Sequence, residues 1–426
     1  MRIFLPLLLL LSLRLSVVAQ QRDCGSTAYM QAMIRNNPDM EARIQQIAAF
    51  TRQQLQSPTV VVTGTEPAGK GTSVVRIPVI VHIVYNSSSQ NISDAQVQSQ
   101  LDVLNRDYRK LNADTAKIPG YYSPLAADCG FQFVLANLDT NGNATTGIIH
   151  RHTNVQAFQI DDAIKFTARG GDDAWDRDRY LNLWVGNLTP GILGYSSIPG
   201  CSRMTDGVSI SYKAFGTTGT AAAPFNLGRT ATHEIGHWLN LIHIWGDADC
   251  GDDGVDDTPQ QQAATRGNPS GMIFSCGNTP YGNLYMDYMD FTDDAGMHLF
   301  TYGQRNRMRT LFAEGGFRVP LLTSNALSGA PVSGGTTTTG PVSPVDEKPV
   351  LRFYPNPAIN TVSVNVSEGS CVGSLLEVYD QVGQRLMTTR ITGTSFLLNV
   401  SSLPRGLYFI RVNGSGINNS FRLMKM

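Results

Sequence analysis

Residues Thr232 to Gly246 read THEIGHWLNLIHIWG, and three of the chain's seven histidines fall inside this stretch. His233 and His237 stand four apart. On a helix that spacing puts both imidazoles on one face, where they can grip a single metal ion. Glu234, next to the first of them, is placed to take a proton from an attacking water. His243 comes six residues after His237, beyond Asn240. Asparagine tolerates the left-handed backbone that ends a helix, so a turn at Asn240 can bring His243 back to the same ion. Three neutral nitrogen ligands with a fourth position open describe catalytic rather than structural zinc. The competing reading is three core histidines, and their clustering argues against it. His82, His150, His152 and His298 lack ligand spacing and read as structural.

A second cluster follows at once. GDADCGDDGVDD, 246–257, holds six aspartates. Packed carboxylates repel unless a hard cation neutralises them, and flexible oxygen-rich loops suit calcium. Asp252, Asp253, Asp256, Asp257 and Thr258 are the candidate ligands; a solvated acidic loop is the alternative. The six cysteines are too few for a disulfide scaffold in a chain of 426 residues. Cys129 and Cys201 are left open as a pair.

These residues need elements to hold them. Met1–Ala19 has a basic residue, an apolar run and a small-residue end, which predicts a secretory signal peptide over 1–19. No other segment is apolar enough to suggest a transmembrane span. Over 20–74, Asn37-Pro38 opens one helix with Met40, Ile44, Ile47, Thr51 and Leu55 on a face. A polar tether follows, and the segment reads as a propeptide. RIPVIVHIVY (76–85) predicts a buried strand, Ser93 caps a helix, and FQFVLAN and YLNLWVGNL predict further strands. A last helix is expected at 303–312. Alternating strands and helices give an α/β (α+β) domain over 75–322 with a mixed twisted sheet and the histidine helix. A Gly/Pro/Thr/Ser linker spans 323–348, and short alternating runs over 349–426 predict a small all-β sandwich. The net charge of −1 excludes a basic nucleic-acid-coating chain.

HEIGHWLNLIHIWGD resembles the metzincin zinc motif, and its pappalysin branch in particular, with Asn240 where metzincins carry Gly. The resemblance covers about 75–320, including QNISDAQVQSQLDVLNRDYR, LNLWVGNL, DDTP and DYMDFTDDAGMHLFTYGQ. It implies a secreted, monomeric zinc endopeptidase made as a zymogen and acting on protein or peptide substrates, with Glu234 as general base. It implies that Met289 is the turn methionine below the zinc, that Cys250 and Cys276 form a disulfide, and that calcium binds the acidic loop. It also makes Cys24 a candidate zymogen switch on the metal, against the alternative of an incidental thiol with Asp23 as a rival ligand. Asp293 or Asp294 would favour basic substrate side chains, and the strand at 181–188 would pair with substrate backbone. Cleavage after Arg52, Lys70 or Arg76 would release the propeptide. Phe291 stands where the family usually has a tyrosine, with Tyr288 as a possible substitute donor. That loss leaves a second reading, an inactive surface-adhesion protein on the same scaffold, which the intact Glu234 and histidines oppose. FYPNPA, VYDQVGQRL and VSSLPRGLYFIRV resemble a type IX secretion sorting domain over about 350–426, which implies the type IX secretion machinery as a partner. A carbohydrate- or protein-binding sandwich is the alternative there.

Overall fold

The structure, a computed structural model, describes residues 22, 24–56, 74–329, 351–354, 358–366, 374–380, 384–392, 395–414 and 417–425. The expected signal peptide, Asp23, Lys70, Cys371 and most of the linker lie outside them. The chain divides into two units, Met1–Gly334 and Gly335–Met426, each described by itself.

The first unit begins with two helices, α1 (Ser26–Asn36) and α2 (Asp39–Gln56). Sequence periodicity predicts only the second. Then come β1 (Val75–Tyr85), α3 (Asp94–Asp107), β2 (Phe131–Leu135), β3 (Ile148–His152), β4 (Leu181–Gly186), β5 (Gly194–Ser196) and β6 (Val208–Ser211). The histidine helix is α4 (Arg229–Trp238). It is followed by the short β7 (Arg266–Gly267) and β8 (Phe291–Thr292) and by α5 (Tyr302–Thr310). The main sheet runs β2-β1-β4-β6-β5, with β3 also on β1. All pairings are parallel except that of β5 with β6. β1 is buried on both faces, as an unbroken β-branched run in a parallel sheet requires. Val79, Val81 and Ile83 face α3 and α4 through Leu101, Leu104, Ile235 and Trp238. Val84 and Trp184 pack on the opposite side with Tyr29 of α1.

The order of strands corrects one expectation. The strand at 181–188 is flanked by β1 and β6, so its backbone has no free side for a substrate. The edge belongs to β5, which folds back antiparallel on β6.

Polar contacts fix α4 within this frame. Arg229 donates to Asp107 at 2.7 Å and to Asp114 at 3.0 Å, and the Thr232 hydroxyl donates to Asp107 at 2.7 Å. At its C-terminus, the Asn240 amide bonds the His237 carbonyl and the Leu241 amide bonds that of Gly236, both at 2.9 Å. Asn240 takes φ 76°, so the helix ends in the left-handed turn expected from its residue type. Trp238 Nε1 donates to Asp206 at 2.7 Å, and Arg318 makes two 2.9 Å bonds to the same carboxylate. Its guanidinium lies 3.8 Å from the Trp238 ring centre.

Cys129 and Cys201 are buried free thiols, so the pairing left open is absent. Cys250 and Cys276 form the disulfide that the resemblance implies, with Cα atoms 5.7 Å apart.

The second unit comprises β9 (Leu351–Tyr354), β10 (Thr361–Val366), β11 (Leu375–Tyr379), β12 (Arg385–Arg390), β13 (Ser395–Asn399), β14 (Gly406–Gly414) and β15 (Ile417–Lys425). They form two antiparallel sheets, β13-β10-β9 and β12-β11-β14-β15. Val362, Val364, Val378, Ile410, Val412 and Leu423 fill the core. This is the expected all-β fold. Among the described residues no helix is long and apolar enough to cross a membrane.

Removing Asp206 strands a buried guanidinium and an indole N–H. Asp206→Ala is expected to cost about 3–5 kcal/mol in urea unfolding, and Asp206→Ala/Arg318→Met together less than the single change. Equal losses in the two variants would show that the pair does not fasten α4.

Candidate active site

His233, His237 and His243 meet beneath Cys24. His237 Nε2 lies 3.2 Å from the Nε2 of His233, 3.2 Å from that of His243 and 3.5 Å from Cys24 Sγ. All four ligand atoms lie within 4.8 Å of one another and all four residues are buried. A tetrahedral zinc with bonds of about 2.05 Å to nitrogen and about 2.3 Å to sulfur separates its ligands by about 3.3 Å (N to N) and about 3.6 Å (N to S). The three separations from His237 match those spacings, and the cluster has the donor set for that ion.

The other nitrogen of each ring is engaged. Nδ1 of His233 bonds the Tyr288 carbonyl at 2.7 Å, that of His237 the Leu241 carbonyl at 3.0 Å, and that of His243 Asp247 at 2.6 Å. A carbonyl accepts only from N–H, so His233 and His237 turn unprotonated Nε2 lone pairs inward. Burial, followed by repulsion from neighbouring imidazoles, holds both rings uncharged: His233 lies well below its usual range and His237 falls to about 3. Burial would raise Asp247, but its bond with His243 prevails and keeps the carboxyl low. Burial, then the charge of Glu234, pushes the Cys24 thiol up. A divalent cation inverts that preference and stabilises the thiolate.

Glycines and one methionine set the clearances. A Cβ on Gly236 would stand 2.5 Å from Met289 Sδ, and one on Gly194 would stand 2.9 Å from Glu234 Cγ. Met289 therefore sits directly against the helix between the two histidines of its face. Phe291 lines the cluster, 4.8 Å from His243 and 5.7 Å from His233 between ring centres, and Trp245 stacks on His243 at 4.3 Å. Tyr288 does not replace the missing hydroxyl. Its side chain is buried in the core and bonded to Arg229, and only its carbonyl serves the cluster.

The N-terminal segment covers the site at more points than Cys24, and the sequence carries no signal for the others. Cys24 pairs parallel with Gly194, and the Gly25 amide donates to the Gly194 carbonyl at 2.8 Å, along the β5 edge. The Ser26 hydroxyl donates to Glu234 at 2.8 Å and accepts from the Ser196 amide at 2.8 Å. Thr27 donates to Asp247 at 3.1 Å. The guanidinium of Arg22 bonds the Thr292 carbonyl at 2.8 Å, pairs with buried Asp294 and lies 5.1 Å from the Phe225 ring centre. Of the two aspartates considered beside the turn, Asp294 is thus the one that meets a basic side chain.

The acidic loop is uneven. Asp252 and Asp256 are exposed. Asp257 accepts from Thr301 at 2.6 Å and from the Gly303 amide at 2.8 Å. Asp253 is 5% exposed, takes a 2.8 Å bond from Thr258, and keeps its Oδ2 without a hydrogen-bond partner. Burial pushes Asp253 up to about 7. Asp287, absent from the sequence candidates, likewise has a buried Oδ2 without a hydrogen-bond partner.

Comparison with known proteins meets this geometry from outside. A family profile described as pregnancy-associated plasma protein-A matches residues 168–313, and one described as a secretion system C-terminal sorting domain matches 352–425. An extracellular metalloprotease of Pyricularia oryzae is 35% identical over 273 residues, 61% of this chain and 84% of that protein. One from Verticillium alfalfae is 30% identical over 251 residues, 55% and 76% of the two chains. Mature mirolysin of Tannerella forsythia, solved with a cleaved peptide, is 47% identical with TM-score 0.59, covering 60% of this chain and 98% of its own. A promirolysin mutant of the same organism is 43% identical with TM-score 0.65, covering 72% and 98%. The chain belongs to the pappalysin family of metzincin metalloproteases, as a secreted zinc endopeptidase made as a zymogen and equipped with a type IX sorting domain.

Proposed function

We propose that His233, His237 and His243 hold the zinc and that Glu234 is the general base. The observation that carries this is the convergence of three Nε2 atoms whose rings are each oriented through Nδ1. Zinc, when bound, supplies Lewis acidity towards the scissile carbonyl. Glu234 takes the proton of the attacking water and returns it to the leaving nitrogen. The β5 edge receives the substrate backbone as an added strand, in the place the Gly25 amide takes. Asp294 and the Thr292 carbonyl form the seat of a basic substrate side chain, occupied before maturation by Arg22. Met289 serves as the turn methionine, packed against Gly236.

Latency follows from the same contacts. Cys24 takes the fourth ligand position, Ser26 occupies Glu234, and Arg22 fills the basic seat. We assign residues 1–19 to export, 20–74 to the propeptide, 75–322 to catalysis, 323–348 to the linker and 349–426 to sorting, with the mature enzyme a monomer. Arg52 lies within α2 and Arg76 within β1, where it is paired with Gln132 of β2.

Calcium fits the acidic loop at Asp253, whose buried carboxylate has an oxygen without a hydrogen-bond partner. Asp252, Asp256, Asp257 and Thr258 are the loop groups from which the remaining ligands would be drawn.

Three outcomes test these assignments. Glu234→Gln should lower casein or peptide hydrolysis by about 10²–10⁴-fold while zinc content stays near one per chain. Wild-type activity in that variant would remove Glu234 from the mechanism. Unprocessed Cys24→Ala should hydrolyse a short peptide that the unprocessed wild type leaves intact; equal latency of the two would make Cys24 incidental. Calcium at about 100 times its dissociation constant should add about 2.7 kcal/mol and raise the melting temperature by roughly 5–10 °C over EGTA-treated protein. No shift up to millimolar calcium would leave a merely solvated loop.

A further inference from the structure

Tyr29, in the first turn of α1, occupies a seat that takes no part in the chemistry at Glu234. Its hydroxyl donates to Asp162 Oδ2 at 2.7 Å and accepts from Lys165 Nζ at 3.4 Å. Its ring centre lies 5.0 Å from that of Tyr195 on the β5 edge strand and 4.8 Å from Lys165 Nζ. Lys165 is fully buried. It pairs with Asp162 at 2.9 Å, donates to the Thr205 carbonyl at 2.9 Å, and faces the rings of Trp184 and Tyr195 at 5.4 and 5.0 Å.

A buried ammonium is tolerated only with such partners, and three aromatic faces supply part of them. Asp162 adopts φ 62°, a left-handed conformation that aspartate accepts more readily than most residues, and presents its carboxylate there. Tyr29 belongs to the segment lost on maturation. Its departure removes one ring from around Lys165 and the donor from Asp162 Oδ2, and it opens a slot walled by Tyr195 and Ile160. The slot adjoins a cavity of about 480 Å³ that Tyr29, Met33, Ile160, Asp162 and Thr205 help to line. The N-terminal segment runs from the Arg22 seat, over the metal ligands at Cys24, to the Tyr29 seat. The two seats are therefore separate stops along one backbone path. At about 1.5 Å rise per helical residue, Tyr29 stands about 6 Å beyond Gly25, the reach of about two residues of extended peptide.

We propose that the seat formed by Asp162, Lys165, Trp184 and Tyr195 is a substrate subsite that selects a tyrosine side chain two or three residues from the scissile bond. The inference rests on the proteolytic reading above, with Tyr29 holding the place before maturation. Phenylalanine fills the ring position but leaves Asp162 Oδ2 without its donor, and alanine fills neither. A hydrogen bond to a charged group sets the Tyr-over-Phe preference at about tenfold in kcat/KM.

The test uses the processed enzyme and fluorogenic peptides sharing one scissile bond, with Ala, Phe or Tyr walked through three positions on each side. The expected result is a single position with the order Tyr, Phe, Ala and a Tyr/Phe ratio of about ten. Asp162→Asn keeps an acceptor and tolerates the same backbone; it should lower that ratio to about three. Asp162→Gly/Lys165→Met removes both polar partners and should bring the ratio to about one while Phe remains above Ala. Cleavage with no position favouring Tyr over Phe overturns the subsite and leaves the protease assignment standing, as does an unchanged ratio in a folded variant. Failure to cleave any peptide overturns both.

Discussion

Three imidazole nitrogens, with that of His237 held 3.2 Å from each of the other two, form an arrangement that repels itself until a cation enters. Much of the catalytic unit serves to impose it. The Tyr288 carbonyl holds one ring, the Leu241 carbonyl a second and Asp247 the third. Each holder depends on a further element. Leu241 is positioned by the left-handed turn at Asn240, whose carbonyl accepts from Arg307 of α5 at 2.6 Å. Tyr288 is fixed by Arg229 at the start of α4 and by its packing in the core. The helix supplies two of the three rings, and the contacts at its two ends orient them. Met289 against Gly236 removes the remaining slack, because no side chain fits between sulfur and helix.

This explains why α4 is buried throughout although more than half of its residues are polar. Burial keeps His233 and His237 neutral, at the cost of every other polar group needing an internal partner. Asp107 serves Arg229 and Thr232, and Asp206 serves Trp238 and Arg318. They are structural acids, and their work is to make a dry wall around a charged centre affordable.

The local part of this design was legible in the residue order. Histidine spacing, the turn at Asn240 and the Ser93 cap depend on contacts within a few residues, and the unbroken β-branched run of β1 marks a buried strand without naming its distant neighbours. The partner of Arg22 is not of that kind, since it lies 272 residues away and nothing in either segment specifies the other. The edge strand was misplaced because β5 has three residues and no alternation to reveal it, whereas the long apolar run at 181–186 is buried by neighbours on both sides. Tyr288 looked like a nearby hydroxyl because sequence gives proximity without direction; its ring turns into the core and its backbone carbonyl towards His233. Loop carboxylates that look equivalent in sequence separate only through burial, as Asp252 and Asp253 do.

The covering segment meets the site through the chemistry it must later use. Ser26, Arg22 and Tyr29 each bring a donor to a carboxylate, at Glu234, Asp294 and Asp162. Water competes poorly for such positions when they are recessed, so loss of the segment raises the free energy of all three seats together. A substrate that offers a basic group and a hydroxylated ring at matching places regains part of what was lost, and its backbone regains the β5 edge. On the proposed reading, the carboxylates that hold the covering segment in the latent form would also select among peptides in the mature one. Latency and selectivity would then be coupled through one set of side chains.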